Sequence, residues 1–237
     1  MYNNIIVVPY RDRESHLNTL KGKINDYFIK LLGEDTLIVV IEQTQGKDFN
    51  RGKLLNIGIK EFSDCCKGYF ILHDVDTFLK KDHHKKQYKS EEQNIIRLWR
   101  PHALSLGGIC KIKKETILDI NGHPNNIWGW GIEDRALYYR ALIKECTFKN
   151  VVTEINDLQR LHHTANSVTY TGERKEMSEY INSITRKNLE EKENFIYHSG
   201  ISTLSKIDTN TEYKNEDEYF IIKTDTENNY IKLLVDI

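Results

Sequence analysis

Tyr69-Phe70-Ile71-Leu72-His73-Asp74-Val75-Asp76 runs from an apolar segment straight into two carboxylates. A short apolar run bounded by polar residues reads as a strand buried on both faces. On its N-terminal side Leu54, Leu55, Gly58, Ile59 and Phe62 recur at helical spacing, and residues 37–41 form a second apolar run. Before that run, Leu17, Leu20, Ile24, Tyr27, Phe28, Leu31 and Leu32 fall on one stripe of a helix that stops at Gly33, and residues 5–8 form a first strand ending at Pro9. The order strand, helix, strand, helix, strand predicts an α/β protein with a parallel sheet covered by helices. Right-handed crossovers then bring the C-terminal ends of all three strands to one edge, where open α/β sheets bind ligands.

On the C-terminal side, residues 80–101 are polar and charged and read as a surface excursion before Pro101. Residues 104–112 are strand-like around Gly107-Gly108, 113–120 form a short helix, 121–131 a loop rich in Gly, Asn, Pro and Trp, and 133–144 a further helix. After residue 164 the chain turns polar, with a helix expected over 174–193, a low-complexity stretch near 208–218 and two closing strands at 219–223 and 230–235. No internal repeat is present.

The 237 residues carry 34 Lys+Arg against 35 Asp+Glu, so no global field attracts nucleic acid or an anionic membrane, and an anionic ligand must be held locally. Hydrophobic residues at 39% and aromatics at 10% are too many for a disordered chain. No apolar run approaches the ~20 residues of a membrane span, and residues 5–8 are too short and lack the basic flank of a signal peptide, which points to the cytoplasm. Cys65, Cys66, Cys110 and Cys146 contain no C-x-x-C pair and read as reduced, mostly buried thiols.

In an extended segment, residues two apart point to the same side, so Asp74 and Asp76 meet at the ligand edge while Val75 faces the core. A hard divalent cation prefers such oxygen ligands and would bridge nucleotide phosphates; a solvated turn is the alternative. Arg11 and Arg13, just past the first strand, supply forked donors for a diphosphate, or pair on the surface with Asp12 or Glu14. Phe49-Asn50-Arg51 opens the second helix, where Phe49 could stack on a base, Arg51 reach a phosphate or ribose, and Asn50 cap the helix. Trp128 and Trp130 sit in a glycine-rich loop with no apolar period, which suits a mobile aromatic lid. Glu133 and Asp134 begin a helix, where its dipole favours ionised carboxylates, either as caps or as a general base beside a bound hydroxyl. His162 and His163 are adjacent on a strand and point opposite ways, so at most one joins a metal site. His83-His84 read as surface residues, and Cys65 and Cys110 have no evident base.

Five motifs, in order and at matching spacing, resemble the β-1,4-galactosyltransferase family of inverting GT-A enzymes over roughly residues 5–166. They are Val8-Pro9-Tyr10-Arg11-Asp12-Arg13 with His16-Leu17, the segment from Phe49 to Gly58, Asp74-Val75-Asp76, Gly107-Gly108, and the run from Asn121 to Asp134. The segment Gly200-Ile201-Ser202-Thr203-Leu204 is similar to the family's final Gly-Leu-Asn-Ser-Leu-type segment. The resemblance implies a GT-A fold: a Rossmann-like, mostly parallel central sheet flanked by helices, with a short C-terminal β extension. One catalytic domain over 1–237 is expected, with a nucleotide-binding half at about 1–103, an acceptor, lid and catalytic half at about 104–166, and a C-terminal helix and strands at about 167–237.

The implied activity is Mn²⁺-dependent transfer of galactose, or N-acetylgalactosamine, from a UDP-sugar to a glycan or glycoconjugate hydroxyl; an inactive UDP-sugar or glycan-binding domain is the rival. Asp134 matches the general base and Glu133 the carboxylate that contacts the donor sugar. Pro9, Arg11, Arg13, Phe49, Arg51, Asp74, Val75, Asp76, Gly108 and Trp130 match donor-binding positions, Trp130 being the lid. Asp76 matches the metal-ligating carboxylate, completed by His163 or His162. Three departures stand out. Arg160-Leu161-His162-His163 replaces the family's Met-x-x-His or His-x-His, Arg135 and Ala136 replace two acidic residues that help hold N-acetylglucosamine, and Ser105 stands where a tyrosine restricts the donor to galactose. With neither membrane anchor nor oxidising context in its sequence, the chain is similar to a bare catalytic domain of bacterial or viral type.

Overall fold

A computed structural model describes residues 1–129, 131–152, 154–161, 172–184, 194–209 and 211–237. In chain order its elements are β1 (Tyr2–Tyr10), α1 (Glu14–Gly22), a π-helical turn (Ile24–Ile29), α2 (Lys30–Leu32), β2 (Thr36–Gln43), α3 (Arg51–Phe62), β3 (Cys66–His73), β4 (Thr77–Leu79), α4 (Asp82–Lys85), β5 (Ile95–Trp99), β6 (Ile109–Lys113), α5 (Lys114–Asp119), α6 (Glu133–Ile143), β7 (Phe148–Val152), β8 (Leu158–Arg160), α7 (Gly172–Ser183), β9 (Ser205–Lys206), β10 (Glu218–Glu227) and β11 (Tyr230–Asp236).

The three apolar runs form the centre of one large sheet, ordered β7-β5-β6-β3-β1-β2-β11-β10-β9. β1 pairs in parallel with β2 and β3, with Val7 opposite Val39 on one side and Leu72 on the other. Only β3–β6, β5–β6 and β10–β11 are antiparallel, so the sheet is mostly parallel, as expected. Alternate side chains of β1 serve two cores: Ile5 and Val7 join the layer under α3 and α6, while Ile6 and Val8 join the layer under α1. Each such fully buried aliphatic side chain contributes about 1.5–3 kcal/mol relative to exposure, which is why these runs show no polar alternation. Close packing of α3 needs Gly58, since a Cβ there would lie 2.4 Å from Val7 Cγ1.

Two expectations are corrected. Residues 80–101 are not wholly a surface excursion, because β5 is a buried sheet strand and Tyr88 is fully buried. Its disguise is Arg97, a charge buried between the Tyr138 and Phe148 rings, with its guanidinium donating to Ala103 O at 2.8 Å. The strand expected over 104–112 is only Ile109–Lys113, since Gly108 has φ +73° and turns the chain just before it. The helix expected over 174–193 covers Gly172–Ser183; residues 185–193 lie outside the described residues. Both C-terminal strands form, and β11 adds in parallel to β2, placing Ile231 opposite Val39.

Arg140 on α6 ties the C-terminal segment to this frame. It is fully buried and donates to Asn121 O and Gly122 O at 2.9 Å, to Phe195 O at 3.1 Å and to Ser199 O. All four cysteines are unpaired; Cys66 and Cys110 are buried, Cys65 and Cys146 partly so. Among the described residues no helix is long and apolar enough to cross a membrane.

Candidate active site

The edge formed by the C-terminal ends of β1, β2 and β3 is polar and crowded with charge. Asp74 leaves β3 with its amide donating to Gly108 O at 3.1 Å, which fixes the backbone of the Asp-x-Asp segment. Val75 turns inward and is 4% exposed. Asp76 is also buried, accepting from Arg13 Nη1 at 3.0 Å and Thr77 Oγ1 at 2.9 Å. Arg13 thus pairs with Asp76 rather than with Asp12 or Glu14.

Arg51 is the first residue of α3, a helix whose N-cap is Asn50, with Lys53 N donating to Asn50 Oδ1 at 2.9 Å. Its Nε and Nη2 fork onto Asp74 Oδ1 at 2.9 and 2.8 Å, and its Nη1 lies 3.6 Å from Glu133 Oε1. Burial alone would weaken the charge on Arg51, but Asp74, Glu133 and Asp134 more than reverse that and hold the guanidinium charged. One cation therefore joins the Asp-x-Asp segment to the carboxylates that open α6.

Glu133 and Asp134 follow Ile132, which adopts φ +68° and begins α6 without a side-chain cap. Glu133 is buried, and its Oε2 has no hydrogen-bond partner among the described residues. Burial raises its pKa, the Asp134 charge adds to this, and Arg51 opposes. Asp134 is also raised, by burial first, with Arg51 again the main opposing charge. Its carboxylate rests against Gly107, where a Cβ would come within 2.5 Å of Oδ2.

Pro9 lies in β1 opposite Ile41. Arg11 donates from Nη1 to Lys47 O at 2.7 Å and stands 5.4 Å from the centre of the Phe49 ring, so these two residues share one wall. Gly129 N donates to Phe49 O at 2.8 Å, joining that wall to the tryptophan loop. Trp130, His162 and His163 lie outside the described residues. Leu161, just before the histidines, donates its amide to Asp76 O at 2.8 Å, and Arg160 on β8 pairs with Thr77 on β4.

Several supporting residues escaped the motif reading. His73 precedes Asp74 and is fully buried, with Nδ1 2.7 Å from Asp74 O and Nε2 3.0 Å from Tyr88 OH; burial pushes its pKa down to about 4, so it stays neutral. Asn50 and Asn56 staple α3 to the tryptophan loop through Asn125 O at 2.6 Å and His123 O at 2.6 Å. Buried polar side chains at helical spacing, Asn50, Lys53 and Asn56, were the available signal. Burial raises all four cysteine thiols, the opposite of the lowered value that a reactive thiolate requires.

Among the described residues no group of three or more His, Cys, Asp or Glu could hold a metal. The Asp76 carboxylate is a hard oxygen donor at the mouth of the site and fits one coordination position.

Two family models match the chain: the N-terminal region of glycosyl transferase group 7 over residues 1–89, and a domain described as the N-terminal domain of galactosyltransferase over residues 96–164. β-1,4-Galactosyltransferase 4 of Homo sapiens is 34% identical over 171 residues, covering 67% of this chain and 48% of that protein. β-1,4-Galactosyltransferase 1 of Bos taurus is 31% identical over 166 residues, covering 67% of this chain and 41% of that protein. The chain thus spans less than half the length of these relatives. The fold matches that of a Drosophila β-1,4-galactosyltransferase 7 mutant, solved with manganese, UDP-Gal and xylobiose, at a TM-score of 0.77 and 20% identity over 100% of this chain and 94% of that one.

Proposed function

Because the chain belongs to the β-1,4-galactosyltransferase family, within glycosyl transferase group 7, we propose that it is a UDP-sugar-dependent hexosyltransferase. It moves galactose from UDP-galactose to a glycan hydroxyl with inversion, forming a β-1,4-type linkage with Mn²⁺ as cofactor. The observation that carries this reading is the Arg51 bridge from Asp74 to Glu133, which brings the Asp74-Val75-Asp76 segment and a buried carboxylate pair to one edge of the sheet.

In this reading Arg11 and Phe49 line the uridine, with Pro9 and Val75 behind them, while Arg13, Arg51 and the Gly108 backbone border the diphosphate and donor sugar. Asp74 orients Arg51, and Glu133 accepts from the donor sugar's hydroxyls. Asp134 takes the proton of the acceptor hydroxyl as that oxygen bonds to the anomeric carbon from the face opposite the diphosphate. In the same step the bond from that carbon to the diphosphate oxygen breaks, UDP leaves with its electron pair, and the configuration at the carbon inverts. A carboxylate raised above its ordinary pKa is a stronger base toward a hydroxyl, which suits Asp134. Trp130 closes the site as its lid. Asp76, with His163 or His162, would hold Mn²⁺, which when bound supplies positive charge to the departing diphosphate.

A second donor is favoured by Ser105. It stands where the family resemblance places a tyrosine that restricts the donor, and its small side chain is buried, donating from Oγ to His102 O at 3.0 Å. UDP-N-acetylgalactosamine is therefore the alternative donor.

The test is a thermal-shift titration with UDP, UDP-galactose, UDP-N-acetylgalactosamine and UDP-glucose, each with Mn²⁺ or EDTA. A ligand that binds only the native state stabilises it by about 2.7 kcal/mol at a hundredfold excess over Kd. Stabilisation that needs both Mn²⁺ and the UDP-sugar, and that loses its difference between Mn²⁺ and EDTA in Asp76→Asn, is expected; the strongest sugar names the donor. No response to any nucleotide would overturn the reading, and binding without turnover would leave a glycan-binding domain.

A further inference from the structure

The near-zero charge of the whole chain conceals one strongly uneven surface. Residues 80–89, which directly follow β4, hold five lysines and two histidines against a single carboxylate, Asp82. Lys80, Lys81, Lys86 and Lys89 are exposed on and around α4 and the 3-10 turn Lys86–Lys89. Lys23, just after α1, adds a sixth ammonium: its Nζ lies 5.0 Å from the Phe78 ring centre, and it shares the Tyr27 ring with Lys85, at 5.9 and 5.7 Å. Asp82 pairs with Lys85 at 2.9 Å and Asp157 with Lys81 at 2.6 Å, while Asp26 and Glu154 are exposed next to Tyr27 and Ile155 in the chain. Six lysines thus face four carboxylates, and the surface keeps a positive excess. Glu91 and Glu92 serve other elements, the first acting on Tyr69 and Lys111 of the sheet and the second pairing with Lys149 on β7 at 2.8 Å.

An apolar side chain is fastened to this surface. Ile155, 53% exposed, opens the 3-10 turn Ile155–Asp157. Lys80 N donates to Asp157 O at 3.0 Å and Lys80 Nζ to Asn156 O at 3.1 Å, and the Asp157 carboxylate that pairs with Lys81 also lies 3.7 Å from His84 Nδ1. These ties hold the isoleucine among lysines, outside the core that its neighbours Val152 and Leu158 join. Lysines alone would serve any polyanion, so the apolar residue decides the partner. Single-stranded nucleic acid is gripped by stacking on exposed aromatic rings, and the rings beneath this surface, Tyr27, Phe78 and Tyr88, are buried. An aliphatic tip ringed by lysines matches the boundary of a bilayer, where ammonium groups attract anionic headgroups and an apolar side chain enters the acyl layer.

We propose that residues 80–89, with Lys23 and Ile155, dock the protein peripherally on a bilayer that contains anionic phospholipid. The proposal goes beyond the transferase reading and does not depend on it. Only the three residues of β4 separate Asp76 from Lys80, so docking sets the mouth of the candidate site close to the bilayer.

The test sediments the full chain with vesicles of phosphatidylcholine, alone or with one third phosphatidylglycerol, in the absence of nucleotide and metal, and titrates heparin as a soluble polyanion. Binding to the anionic vesicles alone is expected, weakened by added NaCl because exposed charges are screened beyond about 10 Å at 0.1 M salt. A lysine at an anionic surface contributes about fivefold in affinity, so Lys86→Gln with Lys89→Gln should bind the vesicles about 25-fold more weakly. Ile155→Ser should bind them about tenfold more weakly while its affinity for heparin stays that of wild type. All three positions are exposed, and unchanged melting temperatures check that the variants fold. No binding to anionic vesicles, or equal binding to both vesicle types, would overturn the proposal. Vesicle binding that Ile155→Ser leaves unchanged, with heparin binding that needs the lysines, would also overturn it and assign the surface to a soluble polyanion. Failure of the UDP–Mn²⁺ response would refute the transferase reading and leave the docking surface standing.

Discussion

Glu133 shows what the site costs the fold. A carboxylate 7% exposed, with one oxygen unpartnered among the described residues and Asp134 beside it, has its pKa raised despite Arg51 at 3.6 Å. Burial is the leading cause, and the pKa rises from the ordinary 4.5 to about 7. Between those values the native chain binds more protons than the unfolded one, so the contribution is fully favourable below about pH 4.5 and is lost as pH rises through about 7. Glu133→Gln should therefore be more stable than wild type at pH 8, by an upper bound of roughly 3 kcal/mol, and the two melting curves should converge toward pH 4.5. A constant offset across that range would show that Glu133 is not the titrating group. Asp134 makes a different demand, since its assigned role is to accept a proton. Asp134→Asn should cut transfer by about 10²–10⁴-fold and leave UDP–Mn²⁺ stabilisation intact; loss of nucleotide binding would make Asp134 structural.

The loop-to-strand turn at Gly107-Gly108 is the element that seats Asp134, the proposed base. Gly108 O receives Asp74 N, and Gly107 leaves room for the Asp134 carboxylate, so one turn fixes both halves of the site. Gly107→Ala should displace Asp134 Oδ2, which lies 2.5 Å from the new methyl position. Misplacement by about 1 Å can cost about 10²-fold, so kcat should fall by that order with little change in KM for the UDP-sugar; unchanged kcat would mean that the carboxylate relocates freely. Strands β1, β2 and β3 were legible because a parallel strand buried on both faces needs a continuous apolar run. β5 was not, because Arg97 satisfies its charge inside the core against Tyr138, Phe148 and Ala103 O, and periodicity cannot see such a partner. The apolar stripe from Leu17 to Leu32 predicted one helix, and the π turn at Ile24–Ile29 keeps Tyr27 and Phe28 buried while changing the pitch.

Across the whole molecule, the family was legible in motif order, but the means of joining the parts of the site was not. The tie from Arg51 to Asp74 spans 23 residues, and those from Arg140 to Phe195 O and Ser199 O span 55 and 59; no local pattern encodes such distances. The closing strands were legible as strands, but not as the cover for β2. Without β11 that strand would be an edge, presenting the backbone of Ile38–Ile41 to solvent and stripping Leu233 and Val235 from the core. Exposed apolar edges invite pairing with other chains. The chain is therefore proposed to fold as one domain over 1–237, and a version ending at residue 204 should aggregate although it retains the five motifs. Wild type should melt in a single transition, while the truncated chain should partition to the insoluble fraction and lose the UDP–Mn²⁺ response in any soluble remainder. A soluble truncated chain with wild-type melting and nucleotide response would place the boundary of the catalytic unit near residue 204 and make β9–β11 an appendage.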